Sequence, residues 1–293
     1  MCGTFGATVM RMRDLAMDLS RFGGLATQPQ LRRLGHSERA IREAVAAGSA
    51  WRVGRSWLAN ARAEAEAVRA VALRGVLGGE SALRSHGVWV THETGLCVVS
   101  PRSASRLPST RAGEYRIRVE RIARDGERRW RVDVGTALVQ ALPRFRTRYE
   151  AIATLDSALH ARRIDRRRLE VVAAGMPRRI RRLLPHLDPR AESGLESILR
   201  LAALERGWSV RSQVRIAGVG RVDLVIDGWL VIEADGARWH DDPADAARDR
   251  ERNAALVRRG YRWHRFGHAQ VVHDLDGCLE VIAALLAHGR PAR

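Results

Sequence analysis

The stretch that most constrains this chain runs Gly220-Arg221-Val222-Asp223-Leu224-Val225-Ile226-Asp227-Gly228-Trp229-Leu230-Val231-Ile232-Glu233-Ala234-Asp235-Gly236. It reads as two short strands joined at Asp-Gly, a hairpin signature. Val222, Leu224, Ile226, Leu230, Ile232 and Ala234 fall on the even positions. The odd positions carry Arg221, Asp223, Val225, Val231, Glu233 and Asp235. Strand side chains alternate between faces, so one face reads as core and the other ends in carboxylates. A two-residue turn at Asp227-Gly228 would pair Val222 with Glu233 and mix the faces. A three-residue loop, Asp227 to Trp229, pairs Ile226 with Leu230, Leu224 with Ile232 and Asp223 with Glu233. That register keeps the apolar set together and asks Gly228 for a positive φ.

It also sets two carboxylates opposite each other, which is unfavourable without a cation. Two readings follow. Asp223 and Glu233 hold a divalent ion, Mg²⁺ or Mn²⁺, which prefers carboxylate oxygen and water. Alternatively, Arg221 and other arginines neutralise a structural acidic cluster.

All 51 cationic residues are arginine, and the net charge is +18. Such an excess points to a polyanionic partner, and DNA is the expectation. A hydrophobic share of 45% fits folded domains rather than a disordered chain. Cys2, Cys97 and Cys278 are isolated, with no Cys-x-x-Cys, which excludes a zinc ribbon and a disulfide framework and fits a reducing cytoplasm. No apolar run reaches the roughly 18 residues of a membrane span. Arg11, Arg13, Asp14 and Asp18 stand where a secretory leader would be apolar.

Along the chain, Thr27 caps a short helix to Arg33, Ser37 caps Glu38 to Ala47, and Ala50 to Ala59 alternates around Gly54. Helix, turn, helix and wing is a DNA-docking order, with Arg39, Arg42, Arg52 and Arg55 as the expected DNA contacts. Residues 62 to 135 suggest helices at Ala63 to Leu77 and from Gly78, and strands at Val88 to Val90, Leu96 to Val99, Tyr115 to Ile122 and Trp130 to Val134. His86 and His92 read as surface or structural groups. Nine arginines between His160 and Arg182 ride on helices, and phosphate contact is the reading of their density. Pro185 to Pro189 marks a boundary, after which Asp188-Pro189 opens a helix carrying Glu192, Glu196 and Arg200. The expected order is then three strands, a helix from Asp242-Pro243, a strand at Tyr261 to Phe266 and a last helix from Leu275.

The spacing of Asp223 to Glu233-Ala234-Asp235 resembles the PD-(D/E)XK nuclease core. The run Val231 to His240 is similar to the very-short-patch-repair (Vsr) endonucleases, and more so to a family of Vsr-related domains with an E-x-D-G-x-x-x-H signature. Glu192 and Glu196 before the hairpin, then Asp249-Arg250-x-Arg252 and Leu256 through Arg262, follow in that family's order, so the resemblance covers about residues 190 to 287. It implies Asp223, Glu233, Asp235, His240 and Glu196 as catalytic residues, with Asp223, Glu233 and Glu196 on the metal and His240 as general base or water-orienting group. The departure is Asp235, which stands where the nuclease core has lysine. Residues 12 to 60 and the region after them resemble AbiEi-type antitoxins.

The expectation is an α+β multidomain chain. Residues 1–60 form a winged helix-turn-helix, 61–187 a mixed α/β middle region with arginine-rich helices, and 188–293 an α/β restriction-endonuclease-like core. Function is expected to be metal-dependent DNA cleavage. The rival is an antitoxin-type transcriptional regulator with a vestigial nuclease fold and a cognate toxin as partner.

Overall fold

The structure is a computed structural model and describes residues 14–92, 95–235 and 243–290. Its contacts divide into two units, Met1–Ala82 with Thr94–Ala137, and Leu83–Glu93 with Leu138–Arg293.

The first unit begins with α1 (Leu15–Arg21), β1 (Leu25–Thr27), α2 (Gln28–Arg33), α3 (Glu38–Ala46), β2 (Trp51–Val53) and β3 (Trp57–Ala59). The caps expected from the sequence form: Thr27 and Gln30 make a reciprocal capping box, and the Ser37 hydroxyl accepts the Ala40 N–H. β1, β3 and β2 make an antiparallel sheet, and Leu19, Leu31, Ile41 and Leu58 fill the core beneath it. After α4 (Ala65–Ala72) the chain enters β4 (Val76–Leu77), α5 (Gly79–Ser85), β5 (Cys97–Pro101), β6 (Tyr115–Val119), β7 (Arg124–Asp125), β8 (Arg128–Val132) and α6 (Val134–Ala141). The strands form one sheet in the order β6-β5-β4-β8-β7.

The long helix expected over Ala63 to Leu77 is cut at Leu73. Arg74 is left-handed (φ 59°), and Gly75 lies so close to Val98 and Ser100 that a Cβ would collide. Leu77 therefore joins a strand. Val88 to Val90 is not a strand. The two halves of this unit share a core: the Trp130 side chain is fully buried and its indole N–H donates to the Phe22 carbonyl at 2.7 Å.

The second unit comprises α7 (Arg148–His160), α8 (Arg166–Ala174), α9 (Arg178–Arg181), α10 (Gly194–Glu205), β9 (Val210–Ile216), β10 (Gly220–Ile226), β11 (Leu230–Asp235), α11 (Pro243–Arg258), β12 (Arg262–Gly267), α12 (His268–His273) and α13 (Leu275–Ala287). Its sheet has the order β12-β11-β10-β9, with β11 and β12 parallel and the other pairs antiparallel. One face packs on α10, α12 and α13 through Leu199, Leu224, Ile232, Phe266 and Ile282. The other is covered by α11 through Val225, Val231 and Leu256. Two covered faces explain why valines occupy the hairpin's odd positions as well.

The α10 helix starts later than Asp188-Pro189 suggests. Ser193 is its N-cap, while Asp188 closes a separate turn by binding the Arg190 guanidinium at 2.8 and 2.9 Å. Glu192 therefore precedes the helix and Glu196 lies in its first turn. Cys97 and Cys278 are buried and in no disulfide, as their apolar surroundings suggest. Among the described residues, no helix is long and apolar enough to cross a membrane.

Candidate active site

The hairpin takes the expected register, with Leu224 opposite Ile232 and Ile226 opposite Leu230. Both Asp227 (φ 48°) and Gly228 (φ 79°) turn left-handed in the three-residue loop. The β10–β11 pairing runs no further than Leu224–Ile232 toward the acidic end. There the regular alternation fails. Val222, expected with Leu224, packs instead with Val225, Val231 and Leu256. The register of β9 on β10 puts Gln213 across from Asp223, and Gln213 is also left-handed, at φ 54°. A left-handed non-glycine inside a strand is a strained conformation, and here it sits at the centre of the acidic cluster.

The Asp223 carboxylate lies between the strands. Its Oδ2 accepts the Ala234 N–H at 3.0 Å and its Oδ1 accepts from the Gln213 amide at 3.4 Å. The same Gln213 Nε2 donates to Glu196 Oε2 at 2.7 Å, so one amide ties two carboxylates together. Glu196 is 3% exposed, and its other support is the Glu192 N–H at 3.1 Å. Burial, with added repulsion from Glu196 and Glu233, pushes the Asp223 carboxyl up to about 6, against the pull of the Ala234 hydrogen bond.

Glu233, 4% exposed, has a different environment. Arg252 Nη2 from α11 meets one oxygen at 2.6 Å and Arg265 Nη2 from β12 meets the other at 2.8 Å. Arg265 also reaches Asp249 at 3.0 Å and Asp235 at 3.2 Å. Burial acts to lower its pKa, but the hydrogen bonds to Glu233 and Asp249 more than offset it and hold the guanidinium charged. Asp235 is raised by burial, with Arg265 pulling the other way. Arg221 pairs with Glu192 at 2.6 Å.

Four of the five expected catalytic residues thus separate into an Asp223–Glu196 pair bridged by Gln213 and a Glu233–Asp235 pair clamped by arginines. His240 lies outside the described residues. Arg265 and Gln213 were not singled out from sequence. The signal for Gln213 is a polar residue in mid-strand, in register with Asp223. Arg265 is opposite Glu233 across a parallel pair that forms only once α11 has crossed over.

The donor set fits a hard divalent cation in chemistry. It is all oxygen, one carboxyl is raised to about 6 by burial with added repulsion from Glu196 and Glu233, and the buried Gln213 Oε1 has no partner. It is not a ready cage: among the described residues, no three His, Cys, Asp or Glu side chains converge on one point. Replacing Gln213 by leucine should raise the Asp223 midpoint above about 6 by removing the donor between it and Glu196. Carboxyl-carbon NMR through a pH titration would show this, and an unmoved midpoint would deny the bridge its electrostatic role.

Residues 197–286 match the family model REase_MTES_1575, a restriction endonuclease-like family. The match takes in Gln213, Asp223, Glu233, Asp235, Arg252 and Arg265, and starts one residue after Glu196. Two uncharacterized proteins of Mycobacterium tuberculosis, from strains CDC 1551 / Oshkosh and ATCC 25618 / H37Rv, are each 39% identical to the chain over 125 residues. The alignments cover 39% of this chain and 46% of each relative, so the chain spans about half the length of the curated relatives it matches.

In the first unit Arg39, Arg42, Arg52 and Arg55 are all exposed. Arg39 is paired with Glu43 on its own helix at 2.7 Å, while Arg52 lies in β2 and Arg55 in the β2–β3 turn. The nine arginines between His160 and Arg182 are exposed as well. Arg163 and Arg179 donate to backbone carbonyls, and Arg166 pairs with Glu170.

Proposed function

We propose that the chain is a DNA-binding protein whose C-terminal part, residues 188–293, is a metal-dependent endonuclease of the Vsr-related kind. The observation that carries this reading is Asp223, held up to about 6 between Glu196 and Glu233 within a restriction endonuclease-like segment. Asp223, Glu196 and Glu233 would hold Mg²⁺ or Mn²⁺, which supplies a nucleophilic water and charge neutralisation at the scissile phosphate. Asp223 and Glu196 present oxygen ligands from β10 and α10, and Gln213 keeps the two together. Arg265, fixed in place by Glu233, Asp235 and Asp249, offers a cation beside the position that carries lysine in the nuclease core. His240 would accept the proton of the attacking water.

The N-terminal part, residues 1–60, is read as a winged helix-turn-helix docking duplex DNA through Arg39, Arg42, Arg52 and Arg55. Residues 61–187 are the antitoxin-like middle region, whose arginine helices would add phosphate contacts. A cytoplasmic location is part of this reading, supported by the proposed DNA substrate and by cysteines held outside any disulfide.

Incubation of the full chain with plasmid, mismatched and branched DNA, with Mg²⁺ or Mn²⁺ and with chelator, tests the reading. Nicking that needs the metal is expected. His240→Ala should slow nicking by roughly 10²-fold, the scale of a lost general base, with metal affinity kept in calorimetry. Loss of metal affinity in that variant would move His240 from the water to the ligand set.

One observation favours the rival reading, an antitoxin-type regulator with a vestigial site: both Glu233 oxygens are spent on Arg252 and Arg265. A chain that neither binds Mg²⁺ or Mn²⁺ nor cuts any substrate, yet binds a cognate toxin, would decide for it.

A further inference from the structure

The first unit contains three adjoining cavities that share walls. The largest, about 860 Å³, lies between the β2–β3 turn and the segments around Arg74 and Arg106. It shares Pro101, Ile122 and Arg124 with a second of about 380 Å³ that reaches Arg129. Ser56 and Arg124 carry it into a third of about 280 Å³ that ends at Thr27 and Arg33. Together they form one open groove, and among the described residues no Asp or Glu side chain lines any part of it.

Six arginines do: Arg33, Arg55, Arg74, Arg106, Arg124 and Arg129. Elsewhere on this unit several arginines are matched, as Arg21 with Glu127, Arg32 with Glu38, Arg39 with Glu43, Arg69 with Glu114 and Arg102 with Glu120. Among the described residues, Arg33, Arg55, Arg106, Arg124 and Arg129 have no such carboxylate. Arg74 spends its guanidinium on the Ser105 and Arg106 carbonyls, which fixes that wall. Arg124 is pulled below the usual arginine range by burial and by the neighbouring Arg129 charge. Like charges gathered without a counter-charge are costly unless an anion completes them.

We propose that this groove holds the phosphodiester backbone of duplex DNA. Guanidinium forks match phosphate oxygens, and unmatched arginines strung along an open track suit successive phosphates better than one compact anion. Among the described residues Trp57 is the one aromatic side chain lining it, so a single strand lacks the stacking platforms that usually hold it. Arg55 belongs to both sets, but Arg39 and Arg42 of α3 line none of the three cavities, so the groove extends the contact surface from the wing away from α3. It is independent of the nuclease reading, because a catalytically inert chain would keep it.

The test is fluorescence anisotropy of the full chain with a labelled duplex of arbitrary sequence, across a salt series. Each phosphate contact contributes about 0.9 to the slope of log affinity against log salt. The double variant Arg124→Gln with Arg129→Gln should therefore lower the slope by about 2 and weaken binding roughly tenfold. The matching pair of lysine substitutions should keep most of the slope. Arg33→Gln, at an exposed position of α2, repeats the experiment with one contact and little risk to the fold. An unchanged slope in both glutamine variants overturns the proposal, as does equal or tighter binding of single strands or of ATP at the groove. A loss confined to Arg39→Gln with Arg42→Gln would also overturn it, while leaving α3 as the contact.

Discussion

Asp223→Asn is expected to abolish metal-dependent nicking and, in the metal-free protein at neutral pH, to raise stability. Asn preserves the size of the side chain and an oxygen for the Ala234 N–H, and it removes the charge. Losing an electrostatic partner of the reacting phosphate costs on the order of 10² to 10³ in rate. The stability effect has the opposite sign because the ionised Asp223 is held against burial and two neighbouring carboxylates. Moving a carboxyl from 3.8 to about 6 corresponds to at most about 3 kcal/mol of cost for the charged form. The folded chain keeps this proton over a window in which the unfolded chain has released it. Stability of the metal-free wild type therefore falls as pH rises from about 4 to about 6, and stays lower above that. The Asn variant has no such group. Its advantage should be absent near pH 4 and complete at pH 7. Thermal unfolding in chelator across that range measures it, and plasmid nicking with metal calorimetry measures the rest. Unchanged Mg²⁺ binding in Asp223→Asn would mean that other residues are the ligands.

The hairpin that carries Asp223 was legible because its information is local. Alternating apolar residues and one Asp-Gly determine a register, and the loop takes the length that the alternation demands. The helix caps at Thr27 and Ser37 were legible for the same reason. What was not legible depends on partners distant in sequence. Val222 lies on the α11 face, and Gln213, nine residues earlier on the neighbouring strand, takes a left-handed backbone. The arginine clamp on Glu233 depends on β12 arriving parallel to β11, which no short pattern encodes. Ser193 outcompetes Asp188 as a cap because Asp188 is already bound to Arg190. The helix over Ala63 to Leu77 fails for a packing reason, since Gly75 is needed where the backbone passes β5. In each case propensity gave one answer and a tertiary contact another.

The second large effect concerns how much chain the nuclease-like sheet requires. Asp156 on α7 and Arg200 on α10 form an ion pair at 2.8 Å with side chains 0% and 6% exposed. Asp156 also accepts the Asp188 N–H at 2.8 Å, so it ties together α7, α10 and the turn between them. Ala153 of α7 belongs to the same core as Leu199 and Leu224. Burial raises the Asp156 carboxyl despite the adjacent guanidinium, so desolvation outweighs pairing here. Such a pair adds little net stability while intact and is expensive to break. Asp156→Ala should destabilise the second unit by about 3–5 kcal/mol, because it strands the Arg200 charge in the core. The apolar double variant Asp156→Leu with Arg200→Met should recover most of that loss. By the same argument a chain starting at residue 188 lacks α7, exposes the α10 face and leaves Arg200 unpaired. It should fail to fold, whereas a chain starting at residue 83 keeps the pair, the shared core and the Trp89 that packs on it. Urea unfolding of the two substituted proteins, with solubility and circular dichroism of the two truncations, reads the outcome. A stable, folded fragment from residue 188 would show that the sheet with α10 to α13 is self-sufficient and that α7 is only laid against it.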